Sequence, residues 1–331
     1  MLRCLLLLCM LLLLPQSAYA ADPCPVLRAQ KGSPDIATRV AAYACDENQL
    51  WYRPFIDADG RLAGMRVHEA ETSQLADGVQ AWRRVAAYWH DSGLLPQAYG
   101  RAGASECAYA AASPYPSPSC RAFIVDTPWS AAFVSYVMRR AGLPGFTGSP
   151  SHVNYVREAY RNPEGNAYQV QDPRSGRPER GDMLCYVRVH SRVYGFADLA
   201  GMLSSATNDG LNMHCDIVVG ANQNNDRLAY LVGGNVQQGV TMRLLRLAPN
   251  GYFADLPSRS FGAECSPDQP AACNANRQDW AVLLKLRPAQ ALAQLPPPYV
   301  PPSSSIFPGA SRMQCCVNCI VGSGVPRCPN P

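Results

Sequence analysis

The chain has 331 residues, 47% of them hydrophobic and 16% charged, with 29 prolines, 14 cysteines and a formal net charge of +4. That much apolar material is ample for one sizeable core with appendages, and it excludes both a disordered chain and a miniature disulfide scaffold. No dense basic block is present, which argues against nucleic acid as a partner.

The N-terminus carries one positive charge at Arg3, a short apolar run and the small-x-small site Ala18-Tyr19-Ala20. This is the pattern of a secretory signal peptide spanning residues 1–20, and it predicts a periplasmic or secreted protein. The run is too short for a membrane-crossing helix, which needs about 20 apolar residues, and no second candidate follows. Cys4 and Cys9 leave with the signal, and the even number of cysteines that remains favours disulfides in an oxidising compartment. Cys24 with Cys45, Cys107 with Cys120, and Cys265 with Cys273 are close pairs, whereas Cys185 and Cys215 pair only if their segments lie side by side.

Residues 21–125 read as a helical and loop-rich region bracing the core, with a strand at Gln49–Phe55 and a turn at Asp57–Gly60. Apolar residues recur at a helical period over Ser73–His90, and residues 94–125 read as irregular. Residues 126–290 read as an α+β domain. Its first helix has Thr127 as N-cap and Pro128 in the first position, Arg139 and Arg140 in the last turn, and Gly142 and Pro144 as stops. Ser130 thereby falls in the first turn. A second helix runs from Ser149 to Tyr160, and strands follow at Met183–Arg188, Met213–Gly220, Arg227–Val236, Thr241–Leu247 and Trp280–Leu286.

Residues 291–331 form a Pro/Ser-rich linker and a tail with Cys315, Cys316, Cys319 and Cys328. The tail reads as a disulfide-tied knot. Cys316 and Cys319 have the spacing of a redox pair, and four cysteines could bind zinc, but their Gly/Pro/Ser surroundings lack the strand and helix that frame a redox motif.

A two-residue turn at Asn224-Asn225 sets Gln223 opposite Asp226 and, counted back along both strands, His214 opposite Asn235 on one sheet face. Asp216 returns to that face one step along. A hydroxyl at a helix start, followed by His and Asn on neighbouring strands, gives a nucleophile, base and orienter in chain order: Ser130, His214 and Asn235. Trp129, His152 and Asp216 are placed around them as substrate-binding residues. No metal set has matching spacing, and no cofactor is called for.

These residues resemble the papain-like amidases of the NlpC and CHAP type through Trp129-Ser130-Ala-Ala-Phe-Val, Gly181-Asp182, His214 and Gly234-Asn235. From about Val67 to Leu286 the chain more closely resembles an exported bacterial family, domain of unknown function 2272, with its phrases Pro-Trp-Ser-Ala-x-Phe, Ser-x-His-Val-x-Tyr and His-Cys-Asp-Ile-Val. The resemblance implies a papain-like domain in a cell-wall setting. The expected activity is hydrolysis or transfer at an amide or ester bond, with a cell-wall peptide or peptidoglycan fragment as substrate and Ser130 in place of the usual Cys. Serine cannot ionise as a thiol does beside imidazolium, so His must take its proton during attack. The other reading is a catalytically silent module that binds cell-wall peptide or a protein through the same groove.

Overall fold

The computed structural model describes residues 22–110, 113, 115–259 and 265–298. The signal peptide, its cleavage point and the terminal cysteines Cys315, Cys316, Cys319 and Cys328 lie outside the described residues.

The first long element is helix α1, Ile36–Leu50, in the region read as loops. Asp35 caps it, accepting from Thr38 N at 2.9 Å and from Thr38 Oγ1 at 2.6 Å. Its buried face is built from small residues, Val40, Ala41 and Ala44, so the helix lies close against the sheet. Gln49 and Leu50 therefore end a helix rather than begin a strand. Tyr52 and Arg53 then adopt positive φ, and only Phe55–Ile56 extends, as β1. The expected turn at Asp57–Gly60 follows, closed by Gly60 N donating to Asp57 O, and leads to β2, Leu62–Ala63.

Helix α2 spans Ala81–Asp91, starting eight residues later than the periodicity implies. Its first expected turn is instead a tight reversal, where Gly78 takes φ of 82° and Leu75 N donates to Val79 O. Helix α3, Pro118–Asp126, lies in the segment read as irregular; Ser117 caps it and accepts from Cys120 N. Helix α4, Ser130–Ala141, starts two residues later than expected because Thr127 is extended and ends α3. Gly142 closes it in the left-handed region, at φ 68°. Helix α5 is His152–Arg161 and α6 is Gly195–Ser204.

The remaining strands are β3 (Tyr168–Gln171), β4 (Met183–Val187), β5 (Met213–Ala221), β6 (Leu228–Val236), β7 (Gly239–Arg246) and β8 (Asp279–Leu286). They form one eight-stranded sheet in the order β2-β1-β7-β6-β5-β4-β8-β3, antiparallel except where β1 meets β7. The architecture is thus α+β. Because β1 and β2 come from residues before 126 and extend the same sheet, the N-terminal region is part of the core and not only a brace on it.

Both faces of the sheet are covered. Cys185, Cys215, Ile217 and Val232 turn toward the helices, whereas Leu184, Tyr186, Val218 and Leu231 join Phe253, Leu256 and Trp280 in a second core on the opposite face. Four disulfides, Cys24–Cys45, Cys107–Cys120, Cys185–Cys215 and Cys265–Cys273, tie the described residues and indicate an oxidising compartment. Cys185 and Cys215 are direct partners in the β4/β5 ladder, which meets the condition their pairing required. Among the described residues no helix is long and apolar enough to cross a membrane.

Candidate functional site

Ser130 is the first residue of α4, where the backbone N–H groups of the first turn have no partner within the helix. Its hydroxyl oxygen lies 2.7 Å from Nε2 of His152, the first residue of α5. The other ring nitrogen, Nδ1, is bonded to the Tyr155 hydroxyl one helical turn further on. Two tautomers satisfy these contacts: Nε2 accepting from Ser130 with Nδ1 donating to the phenol, or the phenol donating to Nδ1 with Nε2 donating to Ser130; base chemistry uses the first. Burial, and then the neighbouring His214, push the His152 imidazole well below its ordinary pKa, so it is neutral at neutral pH. A neutral ring with its free lone pair aimed at a hydroxyl is the state a general base requires.

The expected base, His214, is bonded elsewhere. It opposes Tyr186, and Asp216 opposes Leu184, so both side chains fall on the sheet face away from the helices. Nε2 of His214 is 2.7 Å from Asp216 Oδ1, and Arg243 Nε donates to Asp216 Oδ2 at 2.9 Å. Arg243 in turn donates to Asn276 Oδ1 and the Ala275 carbonyl. Burial alone would raise the Asp216 carboxyl; His214 and Arg243 outweigh it and hold the group down at about 2. His152 stands between the two halves, bonded to Ser130 and with its ring centroid 5.2 Å from that of His214.

The hairpin count is recovered by an unexpected route. The connection is wider than two residues: Asn222 N donates to Leu228 O, and Gln223–Asn225 form a 3-10 turn between them. An extra residue at Val219 then shifts the ladder back, giving Ile217 opposite Val232 and Val218 opposite Leu231, as the two-residue turn requires. Asn235 nevertheless does not orient His214. It sits at φ 56° within the register shift between Gly233 and Val236. With its nitrogen toward the acid, its carboxamide donates to Glu69 Oε2 at 2.9 Å and accepts from Trp129 N at 3.3 Å. It braces the backbone just before Ser130.

Two of the expected substrate contacts are interior residues. The Trp129 ring stacks on Trp51 and Tyr88, and its indole N–H donates to Glu69 Oε2 at 2.6 Å, so it is core and not groove wall. Asp216 is fully buried behind His214. His152, the third, lines the cleft beside Ser130.

Tyr155, Arg243 and Glu69 were not singled out from the sequence. Tyr155 had a signal, being one turn after His152. An arginine within the apolar run Met242-Arg243-Leu244 was another. Glu69 had none.

Two adjoining clefts reach this constellation. One, of about 580 Å³, is lined by Ser130, Ala131 and His152; the other, of about 610 Å³, by His214, Asn235 and Arg243. Arg188 and His190 line both. Among the described residues no group of three or more His, Cys, Asp or Glu is arranged to hold a metal ion.

The fold and site define a disulfide-tied α+β protein with a helix-borne serine in a two-part cleft. The chain belongs to the family of domain of unknown function 2272, described as an uncharacterized protein conserved in bacteria, whose profile matches residues 76–286. No curated protein and no solved structure matches it.

Proposed function

We propose that the protein is an exported acyl hydrolase or acyltransferase on a papain-like domain, acting on amide or ester bonds of cell-wall peptides in the periplasm or outside the cell. The observation that carries this reading is the 2.7 Å bond from Ser130 Oγ to a neutral His152 Nε2 at the start of α4. Support for the papain-like assignment comes from a nucleophile-position helix packed on an antiparallel sheet; support for export comes from the four disulfides.

In this mechanism Ser130 Oγ attacks the acyl carbon while its proton passes to His152 Nε2. The N–H groups of Ser130 and Ala131, unpartnered within the helix, face the oxygen that becomes negative. The tetrahedral adduct collapses, the leaving amine or alcohol takes the proton from His152, and Ser130 is left acylated. Water, or an acceptor amine in a transferase, then repeats the sequence and frees the serine. His214, held by Asp216, packs against the imidazole and keeps its plane.

One feature favours the silent binding module instead. His152 is oriented by a phenol, which lacks the negative charge a carboxylate would offer to the imidazolium. The experiment that decides is labelling of the purified protein with a fluorophosphonate, with the adduct located by mass spectrometry. An adduct on Ser130, absent in Ser130→Ala, supports the enzyme; no adduct and no hydrolysis of activated esters overturns it.

A further inference from the structure

The cleft beside His214 has a cationic lining without a described counter-charge. Its wall includes Arg188, Arg243, Arg259 and Arg277 together with His190, and no described carboxylate lines it. Among the described residues only Arg243 is neutralised, by Asp216. Arg259 gives its guanidinium to the backbone carbonyls of Val189 and Arg192. Neither Arg188 nor Arg277 makes a side-chain hydrogen bond or ion pair among the described residues. Arg188 is exposed and Arg277 half-buried, so both reach the cleft without having to be freed from another contact.

Arg188, Arg259 and Arg277 have no counter-charge among the described residues; such charges around a concave volume repel one another, and an anion entering the volume relieves that repulsion. Guanidinium groups match a carboxylate through two parallel hydrogen bonds. Carboxamides share the wall, at Gln237 and Gln278. Such groups pair with peptide N–H and C=O. An inorganic anion can use only their N–H donors, whereas a peptide uses donor and acceptor alike.

We infer that this cleft is a subsite for the carboxylates of an acidic peptide. Arg188 lies in both clefts, so the anionic part of the ligand is held next to the acyl bond presented to Ser130. The position of the bond relative to the charge rests on the acyl-transfer reading; the binding of the acidic peptide does not.

The test is calorimetric titration of the intact protein with acetyl-Ala-Glu-Glu-Ala-amide and with the same peptide carrying Gln for Glu. The expected result is at least tenfold tighter binding of the Glu peptide, weakening as salt is raised. Arg188→Gln and Arg277→Gln, which remove no internal side-chain bond among the described residues, are each expected to lose at least fivefold in affinity with unchanged melting. Equal affinity for the two peptides, or full affinity in both variants, overturns the inference. Inorganic phosphate binding as tightly as the Glu peptide overturns the peptide assignment as well. Ser130→Ala separates the two proposals, because it is expected to bind the Glu peptide as the native protein does. Binding without any turnover would refute the reaction and leave the subsite standing.

Discussion

Ser130 Oγ and His152 Nε2 are 2.7 Å apart, so the first residues of two consecutive helices form one hydrogen-bonded unit. Neither residue gains this position from a strand. Each sits at a helix start, and the bond fixes the two helices relative to one another at the floor of the cleft.

Groups that act as a unit do not add when removed. Ser130→Ala and His152→Ala are each expected to abolish fluorophosphonate labelling and ester hydrolysis, by at least about 10³-fold, with the double variant no worse than either. His214→Asn is expected to cost less, since its ring touches His152 and not the serine. Labelling rates of the four proteins check the order; a His214→Asn variant more impaired than His152→Ala would return the base role to His214.

The depressed His152 pKa sets the direction of pH dependence. Because the folded value lies well below the ordinary 6.5, the unfolded chain binds this proton more readily in the interval between them. Stability from this group is complete above pH 6.5 and is lost as pH falls through the folded value. Asp216 adds a second loss lower down, between its ordinary 3.8 and about 2. The acid limb of kcat/KM is accordingly expected below pH 6.5. Melting temperature followed against pH in the native protein and in His152→Gln isolates the upper window, which the variant is expected to lack.

The buried Asp216–Arg243 pair is costly to break from one side. Asp216→Ala leaves the Arg243 guanidinium buried at 2% exposure with no compensating charge. The expected loss is about 3–5 kcal/mol. Adding Arg243→Met to it is expected to restore part of that loss, as read from denaturant unfolding midpoints. A double variant less stable than Asp216→Ala would show that the arginine holds the fold by its other bonds.

Gly233 lies under the carboxylate. A Cβ there would stand 1.9 Å from Asp216 Oδ1 and 2.9 Å from His214 Nε2. Gly233→Ala is expected to displace that pair and to cost about 1–3 kcal/mol or more. The contrast is Gly201→Ala, within α6, where a Cβ meets nothing within 4 Å and about 0.5–1 kcal/mol is expected to be gained. Thermal unfolding of the two variants checks the opposite signs.

Strands β4 to β8 were legible because each is an apolar run bounded by turn residues, and the buried sheet leaves little else for such runs to do. The cysteine pairs were legible from spacing and, for Cys185 and Cys215, from adjacency. Helix α1 was not, because its buried residues are mostly small and include the polar Thr38, Glu47 and Asn48, which weakens the hydrophobic period that marks an amphipathic helix. The serine was placed correctly in a first helical turn, but its partner was not. Alternation on β5 turns His214 to the face opposite the helices, and nothing in local spacing tells that a histidine at the next helix start fills the gap. Asn235 was misplaced for a different reason: the irregular register at Gly233–Val236 rotates its carboxamide toward Glu69.

The family profile begins at residue 76, yet α1, β1, β2 and Glu69 all precede it. Asn48 of α1 donates to the Val240 carbonyl, and Glu69 holds both Trp129 and Asn235 beneath the serine. The segment recognised by ancestry is therefore smaller than the segment that folds together. A fragment trimmed to that profile would expose the outer hydrogen-bonding edge of β7, an invitation to self-association.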